Sequence, residues 1–117
     1  MNETAPGAAA ESARFADVAI VESRLSGRQE LLTYAIPVAL GSIIERGSVV
    51  WAPLRERLVT TIVLDTHDAL PDFETRELVG GDGRLKLSPL QLDAAIWIAH
   101  ETACPVGTAA ALFLPPG

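Results

Sequence analysis

At 117 residues the chain fits one domain, long enough for a single hydrophobic core without disulfide or metal staples. A hydrophobic fraction of 49% beside 21% charged residues excludes a largely disordered chain, which needs low hydrophobicity and high charge. The net charge of −6 and a pI of about 4.7 argue against a broad grip on a phosphate backbone or an anionic membrane surface, and leave room only for a local basic pocket.

Residues 1–14 are Ala, Gly, Pro, Glu and Ser without apolar periodicity and read as a disordered leader, with order beginning near Phe15. Asp17 to Leu25 is rich in β-branched residues and reads as a strand, followed by a turn at Ser26-Gly27. Leu31 to Pro37 reads as a second strand, ended by a proline that cannot donate to a ladder. Val38 to Arg46 shows no clear alternation. Ser48 to Leu54 and Leu58 to Asp65 form a third and a fourth strand, joined into a hairpin by Arg55-Glu56-Arg57. A loop follows through His67, Asp68 and Phe73, then a short strand over Arg76 to Val79. Gly80-Gly81-Asp82-Gly83 reads as a turn, with Arg84 to Leu87 returning at a sheet edge.

The period then changes. Ser88 is a natural N-cap, Pro89 suits the first helical position, and Gln91 sits where a capping box places Glu or Gln. Leu92, Ile96 and Ala99 are expected on one apolar face flanked by Ala95 and Trp97, with Trp97 anchoring the core. Pro105 stops this helix, and Val106 to Leu114 makes a shorter one before Pro115-Pro116. Strands first and helices last predict an α+β domain: a small antiparallel, partly barrel-like β-sheet followed by two C-terminal helices.

Chemistry-bearing motifs are sparse. No phosphate-cradling glycine loop or dinucleotide fingerprint occurs, and no cofactor is implied. Cys104 is the one cysteine, so no internal disulfide forms and no zinc spacing exists; this fits a reducing, cytoplasmic setting. The N-terminus lacks the basic start and apolar run of a signal peptide, and no apolar stretch is long enough to span a membrane. His67 reads as a solvated loop residue beside Asp65 and Asp68. His100 reads as a cation at a helix C-terminus, and Cys104 as core rather than nucleophile. Tyr34 reads as core, and the exposure of Trp51 is open.

One ordered set of motifs stands out. Leu32-Thr33-Tyr34-Ala35-Ile36-Pro37 is followed by Gly47-Ser48-Val49-Val50-Trp51-Ala52-Pro53-Leu54 and a strand through Thr61-Ile62-Val63. Trp97-Ile98-Ala99, Cys104-Pro105-Val106-Gly107 and Leu114-Pro115 complete the series. In order and spacing this resembles the N-terminal domain of primosomal protein N′ (PriA), the bacterial replication-restart helicase family, from about Asp17 to Pro115. The family pattern is Phe-Asp-Tyr-x-x-Pro, then Gly-x-x-Val-x-Val-Pro-Phe-Gly, a Gly-Ile-Val strand, Trp-x-Ala-x-Tyr-Tyr-x-x-Pro-x-Gly and a closing Ala-x-Pro.

The resemblance implies a DNA-binding module, residues 15–117, that recognises the 3′ end of a nascent strand at a stalled fork. The implied partners are single-stranded or forked DNA with a 3′ end and other replication-restart proteins. It implies no catalysis in this chain, because the ATP-dependent helicase motor of such proteins lies further on; a piece of a longer protein or a stand-alone domain is expected. The pocket it implies is Leu32, Thr33, Leu54, Arg55, Arg57 and Arg76. Here the family's Phe-Asp is Leu32-Thr33, its Pro-Phe-Gly is Pro53-Leu54-Arg55, and its Tyr-Tyr is Glu101-Thr102. Arg76 falls where the family carries a Lys before a strand. Phosphate contact and a solvated hairpin tip both stay open for the three arginines. The alternative function is a structural or protein-interaction domain that keeps the fold and has lost DNA binding.

Overall fold

The computed structural model describes residues 14–21 and 31–114. The turn expected at Ser26-Gly27, the leader as far as residue 13, and the end of the first expected strand lie outside the described residues. Five strands, β1 (Arg14–Ile20), β2 (Leu31–Ile36), β3 (Ser48–Leu54), β4 (Arg57–His67) and β5 (Gly80–Lys86), precede two helices, α1 (Pro89–Thr102) and α2 (Val106–Ala111). Arg14 already belongs to β1, and a single 3-10 turn at Val38–Leu40 occupies the stretch without alternation.

The strands form one antiparallel sheet in the order β2-β1-β4-β3-β5. The sheet is not closed, but the chain entering β5 spans the gap between its edges. Ala35 of β2 donates its N–H to the Arg76 carbonyl and accepts from Leu78, at 2.9 and 3.0 Å, and Val79 donates to the Trp51 carbonyl of β3 at 2.9 Å. Arg76 to Val79 is thus no strand of its own but an isolated parallel bridge at Glu77. The α+β architecture with a partly barrel-like sheet is the expected one.

Strand pleating divides the core in two, because successive side chains point to opposite faces. Val50 and Val63 join Ala16, Val18, Tyr34, Ile36 and Leu78 inside the curl of the sheet. Their neighbours Val49 and Ile62 join Ala19, Leu92, Ala95, Ala99 and Val106 beneath the helices. At α2 the approach is very close: a Cβ on Gly107 would lie 1.7 Å from the Ile20 carbonyl oxygen, so only glycine lets the helix sit on β1.

The capping box forms as the sequence indicates. The Ser88 hydroxyl accepts from the Gln91 N–H at 3.1 Å, and the Gln91 side chain accepts from the Ser88 N–H at 2.9 Å. The expected helix face needs correction. Leu92, Ala95 and Ala99 are buried, Ile96 is partly exposed, and Trp97 is 63% exposed, so Trp97 does not anchor the core. The run from Ala94 to Ala99 is apolar at every position, and periodicity cannot choose a face within it.

The glycine run also needs correction. Gly80-Gly81-Asp82-Gly83 is not a turn but the first part of β5. A Cβ on Gly81 would stand 3.1 Å from the Val49 carbonyl oxygen and 3.2 Å from a Val50 methyl, so glycine serves the close approach of β5 to β3. The ladder there is irregular: Val50 faces Gly81, whereas Ser48 faces Lys86.

Candidate functional site

The expected pocket residues come from three elements that meet at one end of the sheet. The first is the β3–β4 hairpin. Leu54 pairs with Arg57, so the turn proper is Arg55-Glu56. Arg55 adopts a left-handed φ of 59°. Leu54, Arg55, Glu56 and Arg57 line an open hollow of about 540 Å³.

The second element is the strip ahead of β5. The Arg76 guanidinium donates from Nη1 to the Arg55 carbonyl at 3.1 Å, which fixes it against the hairpin turn. Its own carbonyl is held by Ala35 of β2, so Arg76 ties hairpin and sheet edge together.

The third element is β2. Tyr34 is buried as expected, and its hydroxyl donates to the Pro53 carbonyl at 2.6 Å, just before the hairpin turn. Burial pushes the Tyr34 phenol above its ordinary pKa, and the positive Arg76 partly opposes this. Leu32 is half-buried and packs against the cluster inside the curl. Thr33, half-buried, belongs to the opposite face of β2. Its hydroxyl donates to Asp17 Oδ1 of β1 at 2.8 Å.

The structure therefore brings Leu54, Arg55, Arg57 and Arg76 together, and joins them to β2 through Ala35 and Tyr34. Leu32 and Thr33 lie on the same strand but on opposite faces, so a single ligand cannot lie flat against both side chains.

Two polar residues beside this site escape sequence reading. Asp17 stands opposite Thr33 in the β1–β2 register, and its Oδ1 also meets His67 Nε2 at 3.2 Å. His67 is not a solvated loop residue but the end of β4. Its ring stacks on Phe15 with centroids 6.1 Å apart, and its Nδ1 is buried without a hydrogen-bond partner. The residues are 16 and 50 positions apart in the chain, so only strand pairing juxtaposes them. The one local signal is Asp17 itself, a charged residue between apolar neighbours in a predicted strand.

A second hollow, about 190 Å³, lies between β3 and the irregular part of β5, with Lys86 Nζ and Glu45 Oε2 paired at its edge, 2.6 Å apart. None of the expected site residues lines it. Among the described residues no helix is long and apolar enough to cross a membrane.

No curated protein matches the chain. A family model does match, over residues 18–115, and it describes the 3′ DNA-binding domain (3′BD) of PriA. The match covers nearly all of the folded sequence and both helices, so the chain belongs to the PriA 3′ DNA-binding domain family.

Proposed function

We propose that this domain binds the 3′ end of a DNA strand at a stalled fork, in the cytoplasm, as part of replication restart. The contact surface is the end of the sheet formed by Leu32, Thr33, Leu54, Arg55, Arg57 and Arg76. The observation that carries this reading is the Arg76–Arg55 contact. It gathers cations of the strip and the hairpin turn beside β2 in a protein that is otherwise acidic. Guanidinium groups suit phosphate oxygens because their planar donors can bond two oxygens at once. A few phosphates held at one end, with the rest of the surface repelling DNA, favours a terminus over a long duplex. The domain performs no catalysis in this reading; it delivers a DNA end to other restart proteins.

The test is fluorescence anisotropy with three single strands of one sequence: linear with a free 3′ end, linear with the 3′ end sealed in a hairpin, and circular. Binding of the first well above the other two is expected. Equal binding of all three, or none, rejects the reading in favour of a domain that has kept its fold and lost its DNA end.

A further inference from the structure

We propose that the Trp51 indole is a stacking platform for one nucleobase of the bound strand, inward of its 3′ terminus. The inference rests on the end-binding reading above. The chain has two tryptophans, both exposed, and charge separates them. Trp97 stands on α1 with Asp93, bridged to Arg46, four residues before it and Glu101 four residues after it. A phosphate brought to that ring meets carboxylates on the same helix face. Trp51 lies on β3, and the hairpin turn beyond it carries two arginines to one glutamate. Any base can stack on an aromatic face, but its phosphate comes with it, so the platform must stand near cations.

The sheet prepares the Trp51 ring for this. Val49 and its partner Ile62 lie beneath the helices. Two residues nearer the hairpin the same face continues with Trp51 and Thr60, and then with Pro53 and Leu58. The helices leave this stretch open: Trp51 is 40% and Leu58 52% exposed. The indole does not hang free. Gly80 of β5 stands opposite Trp51 in the register, and a Cβ there would touch Cε3 and Cζ3 at 3.5 and 3.7 Å. The β5 backbone thus supports the benzo ring where a larger side chain would push it out. Leu58, diagonal to Trp51 across the strand pair, is within reach of an aromatic ring. Uncharged residues border the ring on its own face of the sheet, so a base can displace water there without stripping an ion. Leu54 follows Trp51 by three residues, about 10 Å along an extended strand. The hollow at Leu54, Arg55 and Arg57 takes the terminal phosphate, and Trp51 takes a base further in.

The experiment follows tryptophan emission and anisotropy of the whole chain with a short single strand. In Trp97→Phe the emission comes from Trp51 alone, and saturation with a 3′-ended strand is expected to quench most of it. In Trp51→Phe it comes from Trp97, and no quenching is expected. Trp51→Ala should weaken binding about tenfold and Trp51→Phe, which keeps an aromatic face, less than about threefold, while Trp97→Ala leaves affinity unchanged. An abasic site moved along the strand should cost affinity most at one position inward of the 3′ terminus. Trp51 emission that ignores a strand seen to bind by anisotropy overturns the proposal and leaves the end-binding reading intact. So does an abasic scan that loses affinity only at the last nucleotide. Both readouts hold even if Trp51→Ala fails to fold. Trp51 emission that changes with protein concentration before DNA is added assigns this face to a second copy of the chain and overturns the proposal as well. A wild type that binds no strand, or binds circular and 3′-ended strands alike, overturns both readings.

Discussion

Arg55 holds a left-handed φ of 59° at the tip of the β3–β4 hairpin, a conformation in which a Cβ crowds the following carbonyl. Glycine occupies that region freely, and the family pattern that the sequence resembles has glycine at this place. Here a cation holds the conformation, and its carbonyl is braced by Arg76. Arg55→Gly is expected to stabilise the fold by about 0.5–1 kcal/mol, read as a raised midpoint in urea. It should weaken binding to a 3′-ended strand at the same time, because a phosphate contact goes with the side chain; unchanged binding would remove Arg55 from the site. Tyr34 is the second residue whose chemistry is legible in its surroundings. Its folded-state pKa is raised above the ordinary 10.0 by burial, so the native state holds the phenol proton more tightly than the unfolded chain does. That contribution is fully present below about pH 10 and is lost as the pH rises through the folded-state value. Tyr34→Phe removes the bond to the Pro53 carbonyl and should cost about 1 kcal/mol at neutral pH. It should also flatten the alkaline fall in stability above pH 10, and a variant that declines with pH as steeply as the wild type would contradict this.

The elements divide by whether their cause is local. The capping box of α1 is local: serine, proline and glutamine within four residues suffice to start the helix, and the contacts form as the sequence indicates. Ser88→Ala should cost about 1 kcal/mol in thermal or chemical unfolding. The β3–β4 hairpin is local too, with alternating apolar residues on both sides of a two-residue turn. The outward face of α1 is not. Ala94 to Ala99 offers no polar residue to mark solvent, and the choice falls to α2 and the sheet, which take Ala95 and Ala99 and leave Trp97 outside. Trp97→Ala is accordingly expected to cost less than about 1 kcal/mol, whereas a buried tryptophan would cost about 3–5. The glycines of β5 mislead for a similar reason. Glycine runs favour turns, and nothing within the run reveals that a Cβ on Gly81 would come within 3.1 Å of the Val49 carbonyl oxygen of β3. The candidate site follows the same rule. Arg55 and Arg57 could be placed on a hairpin from sequence, but the link from Arg76 to Arg55 spans 21 residues, and the Thr33–Asp17–His67 chain exists only through the order of β2, β1 and β4.

At the scale of the whole molecule, charge sets the terms on which DNA is met. The net charge of −6 gives a field that repels a polyanion, and salt screens it beyond a Debye length, about 8 Å at physiological ionic strength. Inside that distance the arginines of the hairpin and the strip act locally, with the acidic Glu56 in the same hollow as Arg55 and Arg57. Such a surface gains little by tracking a backbone, since each further phosphate would meet acidic protein. Counterion release should then be limited to the phosphates that Arg55, Arg57 and Arg76 can reach. At about 0.7 per phosphate on a single strand, three contacts give a slope of log affinity against log salt no steeper than about −2. Titrations between 50 and 300 mM salt should show this shallow dependence, and affinity should stop rising once the strand exceeds a few nucleotides. Removing one cation by Arg76→Gln should reduce the slope by about 0.7 and weaken all sequences alike, because phosphate contacts carry no base information. A slope near −5, or affinity that keeps growing with strand length, would mean that DNA runs along the domain rather than ending on it.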